Sequence, residues 1–177
     1  FYEGELIRRV DPKHRTLGQV FQDEIATPLG EEMYIRLPSS IPNSRLAPLA
    51  PPRPVDMVLL LPMRMLAMNR RSNIYRALVV NPGSDVYLDP RTVYAREMEV
   101  PSGGGVATAR GIAHAYGVFA TDGRELGLRR DTLDLLAAPA IPPSRGFRDA
   151  CLKGKVEFSL GFMKPSESVP FGHPGAF

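Results

Sequence analysis

The fold class turns on the stretch Val156-Glu157-Phe158-Ser159-Leu160-Gly161-Phe162, in which apolar side chains alternate with polar or small ones. A period of two predicts a half-buried β-strand. One strand cannot satisfy its own backbone N–H and C=O groups. Because strand structure is predicted only here in the 177 residues, we expect its partner strands to lie outside the chain.

The first residues of the chain have the patterns of two helices. One is predicted over residues 1–10, where apolar side chains recur every four positions until Asp11-Pro12 ends the helix. The second begins at a capping box, in which the side chains of Thr16 and Gln19 can each accept a bond from an unpaired backbone N–H. It is expected to end near Pro28.

Two more helices are predicted in the second half of the chain. One opens at Thr108 and stops at Asp122-Gly123. The other takes Asp131 as its N-cap and ends at Pro139, since a proline cannot continue a helix. The chain is therefore expected to be mainly helical and rich in loops.

A proline-rich loop lies between these two pairs of helices, over residues 38–54. No regular element is expected there, because each proline fixes φ and removes a backbone donor. The segment is either a linker or a long ordered loop. Beyond it, one or two short helical turns are predicted over residues 55–68, and residues 84–100 are expected to be irregular.

The composition is that of a globular protein, with 44% apolar and 23% charged residues. The net charge of +3 is a small surplus, from 22 basic against 19 acidic side chains. A nucleic-acid-binding protein concentrates such a surplus in a basic patch with aromatic residues. The densest basic stretch, Arg70 to Arg76, contains only Tyr75 as an aromatic residue and is predicted to be a solvated loop. We therefore expect no nucleic-acid partner.

Metal and membrane sites are not expected either. Cys151 is the single cysteine, so it forms no internal disulfide and gives no sign of a disulfide-dependent secreted domain. His14, His114 and His173 are far apart in the sequence and lack a metal-ligand spacing. The apolar run from Met57 to Leu61 is too short to span a bilayer. No cofactor is expected, and the compartment is left open.

The common catalytic motifs are missing. The sequence contains neither a phosphate-binding glycine pattern nor Gly-x-Ser-x-Gly nor Ser-x-x-Lys. Gly103-Gly104-Gly105 is interpreted as a flexible helix entry, and Cys151 as buried or inert. His14 is expected to be solvated, and His114 to lie on a helix surface or at the edge of the core.

One short segment could belong to a site. Gly172-His173-Pro174-Gly175-Ala176 follows the predicted strand, and its small residues allow a ligand or another backbone to approach closely. On its own, the segment is either a turn that contains a histidine or part of a binding site.

Several blocks, in order, resemble the serine β-lactamase-like hydrolases, which include class C β-lactamases, related esterases and animal β-lactamase-domain proteins. The blocks are Tyr2 to Asp11 with Thr16 to Gly30, then Pro101 to Ala113, and finally Phe158 to Phe162 leading into Gly172 to Ala176. The first is similar to the helix pair after the family's Tyr-x-Asn motif. The second is similar to its Gly-x-x-Thr-Ala helix entry, and the third to its returning strand with a Lys-Thr-Gly or His-x-Gly motif.

This resemblance implies an α+β fold: a partial β-lactamase/transpeptidase-like fold. Residues 1–155 would be a portion of its helical subdomain, and residues 156–177 the start of its antiparallel sheet. It also implies acyl transfer from a small-molecule ester, amide or peptide-like substrate. Because the third motif has histidine in place of lysine, esterase or peptidase-like action is favoured over β-lactamase action.

The resemblance gives roles to the last motif. His173 would support the proton network and polarise the substrate, and the backbone N–H of Ala176 would be an oxyanion-hole donor. Gly172 and Gly175 would contact the substrate. The nucleophile and the general base are absent from these residues, since the family's Ser-x-x-Lys and Tyr-x-Asn motifs precede the first block.

The chain is accordingly expected to be a fragment that does not turn over substrate alone. It begins at Phe1 and ends at Phe177, and both ends look cut. Two alternatives stay open. The longer protein could be a non-catalytic scaffold or interaction protein on the same fold, if Ser-x-x-Lys is missing upstream. A basic nucleic-acid module, the other alternative, would bind DNA or RNA in a salt-dependent way.

Overall fold

The part of the chain that the structure describes forms helices joined by loops and two small antiparallel sheets, the α+β class that the sequence predicts. A computed structural model describes residues 2–48, 65, 68–78, 80, 96, 98–151 and 154–165. The predicted turns over 55–68 and the irregular stretch 84–100 fall largely outside these residues. The predicted division into 1–155 and 156–177 stays a prediction.

The described residues belong to two compact units. The first comprises Phe1–Ile41, Val93–Ile141 and Glu157–Phe177, and the second comprises Pro42–Thr92 and Pro142–Val156.

The first unit opens with the two predicted helices. Helix α1 spans Tyr2–Val10, and helix α2 spans Leu17–Phe21. The capping box is confirmed: the Thr16 hydroxyl accepts from the Gln19 N–H, and the Gln19 side chain accepts from the Thr16 N–H at 2.9 Å. After α2 the backbone continues as a π-helical turn, Gln22–Ala26, and the helical stretch ends before Pro28 as expected.

Arg15 joins Asp11, directly after α1, to the π-helical turn that follows α2. Its guanidinium binds both carboxylate oxygens of Asp11, at 3.0 and 2.9 Å, and also reaches Asp23 and Glu24. The side chains of Arg15 and Asp11 are only 15% and 9% exposed, so water screens this pair little. The guanidinium and the Arg15 N–H together hold the pKa of Asp11 well below its usual range.

The core of the first unit begins at Ala26, the last residue of the π-helical turn. Ala26, Leu29, Met33 and Val118 are buried against one another, and half-buried apolar residues from α2 and the following turn pack around them. Burying such apolar surface stabilises the fold by about 25 cal/mol per Å². This core therefore ties the first helices to a helix that comes about ninety positions later in the chain.

A short sheet borders this core. Strands β1 (Met33–Tyr34) and β2 (Val106–Ala107) pair antiparallel, with Met33 opposite Ala107. The expectation that strand structure begins only near residue 156 is therefore wrong. These strands are two residues long, too short for a period of two to be visible in the sequence.

The two later helices are also present. Before the first of them, the Gly103 and Gly104 N–H groups donate to the Val100 carbonyl in a turn. Helix α4 spans Ala109–Ala120, capped by the Thr108 side chain, which accepts from the Gly111 N–H at 3.0 Å. Helix α3, Asn73–Leu78, comes earlier in the chain and belongs to the second unit.

Helix α5 spans Arg130–Ala137, after a 3₁₀ turn at Arg124–Leu126. The prediction that Asp131 is its N-cap is wrong, because Arg129 takes that position and Asp131 lies in the first turn. An acidic residue in the first turn still interacts favourably with the helix dipole. The helix stops before Pro139, as predicted.

The stretch from Val156 to Phe162 forms a hairpin. Strands β3 (Phe158–Ser159) and β4 (Phe162–Met163) pair antiparallel around Leu160 and Gly161. The prediction of one continuous strand with partners outside the chain is therefore wrong, since β3 finds its partner four residues later. Both turn residues have positive φ, +49° and +86°, as a tight two-residue hairpin turn requires.

The described residues of the second unit form α3 and several short turns. Residues 73–78 are helical, so the predicted loop over Arg70 to Arg76 is wrong in its second half, although Arg70 and Arg71 are exposed in a turn. Ile74 is buried, and the Asn73 side chain donates to the Ala150 carbonyl at 3.2 Å. In the proline-rich loop, Asn43–Arg45 forms a single 3₁₀ turn where no regular element was expected.

Within the described residues, we find no helix with the length and apolar character of a membrane span.

Candidate functional site

The residues that the sequence assigns to a site lie at the end of the chain. His173 and Ala176, with Gly172 and Gly175, fall outside the described residues, so their roles stay predictions. The structure does describe the hairpin from which this segment continues, as well as a cleft and a charged cluster elsewhere in the first unit.

The hairpin packs on α4 through an aromatic contact. The Phe162 ring lies 6.1 Å from the ring of Tyr116, edge to face, and 6.1 Å from the ring of Phe119. Such pairs contribute about 0.5–1.5 kcal/mol beyond the burial of their area. Tyr116 and Phe119 are three positions apart on one face of α4, so the ring of Phe162 meets both.

Lys164 follows β4 directly. Its side chain is 3% exposed, and its ammonium donates to the Leu136 carbonyl in the last turn of α5. Its backbone N–H donates to the Glu157 carbonyl at 2.8 Å, which extends the hairpin by one pair. Burial lowers the pKa of the Lys164 ammonium. This contact was not predicted, because a lysine after a strand is normally exposed.

An open cleft of about 640 Å³ lies beside α2. Polar side chains line much of it, among them Gln19, Gln22, Tyr34 and Arg36. No lysine, histidine or cysteine is among the described residues that line it. The cleft can therefore offer hydrogen bonds and charge to a ligand, and its described lining includes a serine, a tyrosine and a carboxylate, Ser39, Tyr34 and Glu99.

Glu99 closes one side of this cleft. Its carboxylate accepts from the Thr16 hydroxyl at 2.8 Å and from the Gly18 N–H at 2.9 Å. The carboxylate thus satisfies an N–H of the first turn of α2 that has no partner within the helix. Gly18 permits this approach, since a Cβ there would lie 2.8 Å from a Glu99 oxygen.

Two arginines, Arg36 and Arg96, also line the cleft. The Arg96 guanidinium donates to the carbonyls of Pro38 and Ile41, and the Arg36 Nε donates to the Arg96 carbonyl at 3.2 Å. These bonds satisfy backbone carbonyls at the start of the proline-rich loop. This part of the lining is thereby held by side chains rather than by a regular element.

His114 of α4 lies between two carboxylates, those of Glu31 and Glu125. His114 Nδ1 is 3.0 Å from Glu31 Oε1, and His114 Nε2 is 3.0 Å from Glu125 Oε2. The hydrogen bond to Glu31, and to a smaller extent the one to Glu125, raises the pKa of His114. The imidazole is 34% exposed, which agrees with the predicted place at the edge of the core. The two carboxylates were not predicted.

The remaining candidates have ordinary surroundings. His14 is exposed, as predicted, and its ring contacts the Arg8 carbonyl at 3.1 Å. Cys151 is half-buried, and its N–H donates to the Asp149 side chain. Among the described residues, no group of three histidine, cysteine, aspartate or glutamate side chains is placed to bind a metal ion.

Comparison with solved structures identifies the class of fold. The chain matches the crystal structure of a penicillin-binding protein homolog from Caulobacter crescentus with a TM-score of 0.59, over 97% of this chain and 42% of that chain. The sequence identity is 24%, so this likeness establishes the fold alone. The chain has part of a β-lactamase/transpeptidase-like fold.

A curated relative extends the likeness to sequence. Over 176 residues the chain is 30% identical to the esterase/β-lactamase LipL of Mycobacterium tuberculosis. The match covers 96% of this chain and 40% of LipL, so the chain spans well under half the length of this relative. No protein-family model matches the chain. The two likenesses agree with the resemblance drawn from the motifs: the chain is similar in sequence to an esterase/β-lactamase and has part of the fold of a penicillin-binding protein homolog.

Proposed function

We propose that the chain is part of a serine hydrolase that cleaves an ester or amide through an acyl-enzyme. The observation that carries this proposal is the sequence likeness to an esterase/β-lactamase over 96% of the chain. The match to a penicillin-binding protein homolog over 97% of the chain supports it, because it extends over both units.

In the proposed reaction, a serine from the part of the protein outside these residues attacks the substrate carbonyl. The alcohol or amine leaves with a proton, and water then attacks the acyl-enzyme to release the acid and restore the serine. His173 would polarise the substrate and support the proton transfers, and the Ala176 N–H would bind the oxyanion. A preorganised donor of this kind contributes about 3–4 kcal/mol to transition-state stabilisation. Gly172 and Gly175 would let the substrate approach the backbone.

The first test is labelling by a fluorophosphonate probe, which reacts with activated serines. The whole protein is expected to be labelled at one serine, whereas the 177-residue chain alone is expected to remain unlabelled because it has no Ser-x-x-Lys. Mass spectrometry of the labelled peptide would identify the nucleophile. Heat-denatured whole protein serves as the control for non-specific reaction.

Labelling of the isolated chain would show that the nucleophile has been misplaced. A folded whole protein that is neither labelled nor active on activated esters would contradict the proposal. It would favour the alternative of a non-catalytic scaffold or interaction protein on the same fold.

A further inference from the structure

Lys164 is a buried cation that the proposed reaction does not use. Its side chain is 3% exposed, although lysine is almost never fully buried without a partner. Removing an ammonium group from water is costly, so such a residue persists only where its bonds compensate. Here the ammonium donates to the Leu136 carbonyl.

The position of the Leu136 carbonyl, which accepts from the Lys164 ammonium, helps to compensate the burial of this charge. Leu136 lies in the last turn of α5, where carbonyls have no partner within the helix and carry the negative end of the helix dipole. Pro139, just beyond the helix, cannot donate a backbone N–H. The Lys164 ammonium thus supplies both a donor and a positive charge at this end of α5.

The hairpin is attached to the helices at two points. The Phe162 ring contacts the rings of Tyr116 and Phe119 of α4, and Lys164, directly after β4, binds the end of α5. The Lys164 N–H also donates to the Glu157 carbonyl, so the second anchor is joined to the hairpin through its backbone. Together they fix the position and the direction of the strand where it ends.

The segment that carries the proposed site begins a short way beyond this strand. The residues between Lys164 and Gly172 include Pro165 and Pro170, each of which has its φ fixed. We infer that Lys164 is a positioning residue for the proposed hydrolase: by binding the end of α5, it fixes the end of β4 from which the His173 segment continues. This inference rests on the proposed function.

The test uses the whole protein and three lysine variants, with p-nitrophenyl butyrate as substrate. Lys164→Met removes the charge and the donor, and Lys164→Arg keeps both. Lys13→Met makes the same change as the first at an exposed lysine. The kcat is expressed per site labelled by the fluorophosphonate probe, so that unfolded molecules do not count.

We expect Lys164→Met to lower kcat per labelled site at least about tenfold, with Lys164→Arg within about threefold of wild type and Lys13→Met unchanged. If Lys164→Met yields no folded protein, Phe162→Leu weakens the other anchor of the same strand and is expected to lower kcat per labelled site in the same direction. Hydrogen exchange should show weaker protection of the hairpin amides in Lys164→Met and Phe162→Leu, but not in Lys13→Met.

An unchanged kcat per labelled site in Lys164→Met, or in Phe162→Leu where the first does not fold, would overturn the inference while the proposed function stands. A loss in Lys164→Met that Lys164→Arg does not relieve would also overturn it, since the cation would then not be the cause. A wild-type protein without labelling or turnover would overturn the proposed function, and this inference with it.

Discussion

The charge of His114 is set by two carboxylates that approach its ring from opposite sides. Ionised Glu31 and Glu125 can only accept hydrogen bonds, so both are satisfied only when both ring nitrogens carry protons. The imidazolium is therefore the form that the fold favours. Neutral imidazole has one N–H and must give up one of the two bonds.

This geometry predicts how stability depends on pH. The pKa of His114 is raised above its ordinary value of 6.5, so its contribution to the free energy of unfolding is fully present below that value and is lost as the pH rises through the raised pKa. The difference in stability between wild type and His114→Gln should therefore shrink as the pH rises above 6.5 and through the raised pKa. Chemical denaturation at several pH values measures this.

The control for this prediction is His14→Gln, which changes an exposed histidine. Equal pH dependence in wild type and His114→Gln, or an NMR titration that gives His114 a pKa at or below 6.5, would contradict the prediction.

Among the elements, the β3–β4 hairpin departs most from its sequence pattern. The alternation from Val156 to Phe162 is real, but Leu160 and Gly161 adopt positive φ and turn the chain back. Such turns usually contain Asn-Gly or Asp-Gly, and leucine is a rare choice because its Cβ crowds the carbonyl in this conformation. The signal for a turn was therefore missing from the sequence.

Replacement of this leucine should relieve the strain. Leu160 is exposed, so Leu160→Asn removes little buried apolar surface, and asparagine tolerates positive φ. We expect the free energy of unfolding to rise by roughly 1 kcal/mol. Thermal and urea denaturation measure the change. Leu160→Ala is the matched control, because it shortens the side chain but keeps a residue that disfavours positive φ. Equal stability of the two variants would show that the turn is not strained.

The ends of the helices were predicted best, since their signals are local. The bonds between Thr16 and Gln19, and the cap at Thr108, depend on residues within one turn of each other. The N-cap of α5 was misplaced by two positions because Asp131 suits both a cap and a first turn. The continuation of α2 as a π-helical turn has no local signal.

At the scale of the whole molecule, the order of the sequence blocks predicted the fold, whereas contacts between distant segments were not predicted. The pairing of β1 with β2 and the approach of Glu31 to His114 join positions more than seventy residues apart. Periodicity and capping motifs contain no information at that distance. The contact of Lys164 with α5 was not predicted for the same reason, because it joins residues 28 positions apart.

The proposed activity predicts one further effect in the whole protein. His173→Ala should lower kcat/KM at least about tenfold, equivalent to about 1.4 kcal/mol, because the substrate would lose a polarising group in the transition state. Steady-state kinetics on an activated ester measure it, with His14→Ala as the control at an exposed histidine. If His173→Ala keeps full activity in folded protein, the motif is a turn and not part of the site.

The contact between Gly18 and Glu99 has a consequence for how this protein can vary during evolution. Thr16 and Glu99 are 83 positions apart, and a side chain at residue 18 would crowd the glutamate, since a Cβ there would lie 2.8 Å from its carboxylate oxygen. An alanine at 18 would force the carboxylate to shift, whereas a short side chain at 99 would leave room for it. Substitutions at these positions should therefore occur together, and homologous sequences with a larger residue at 18 should carry a shorter one at 99.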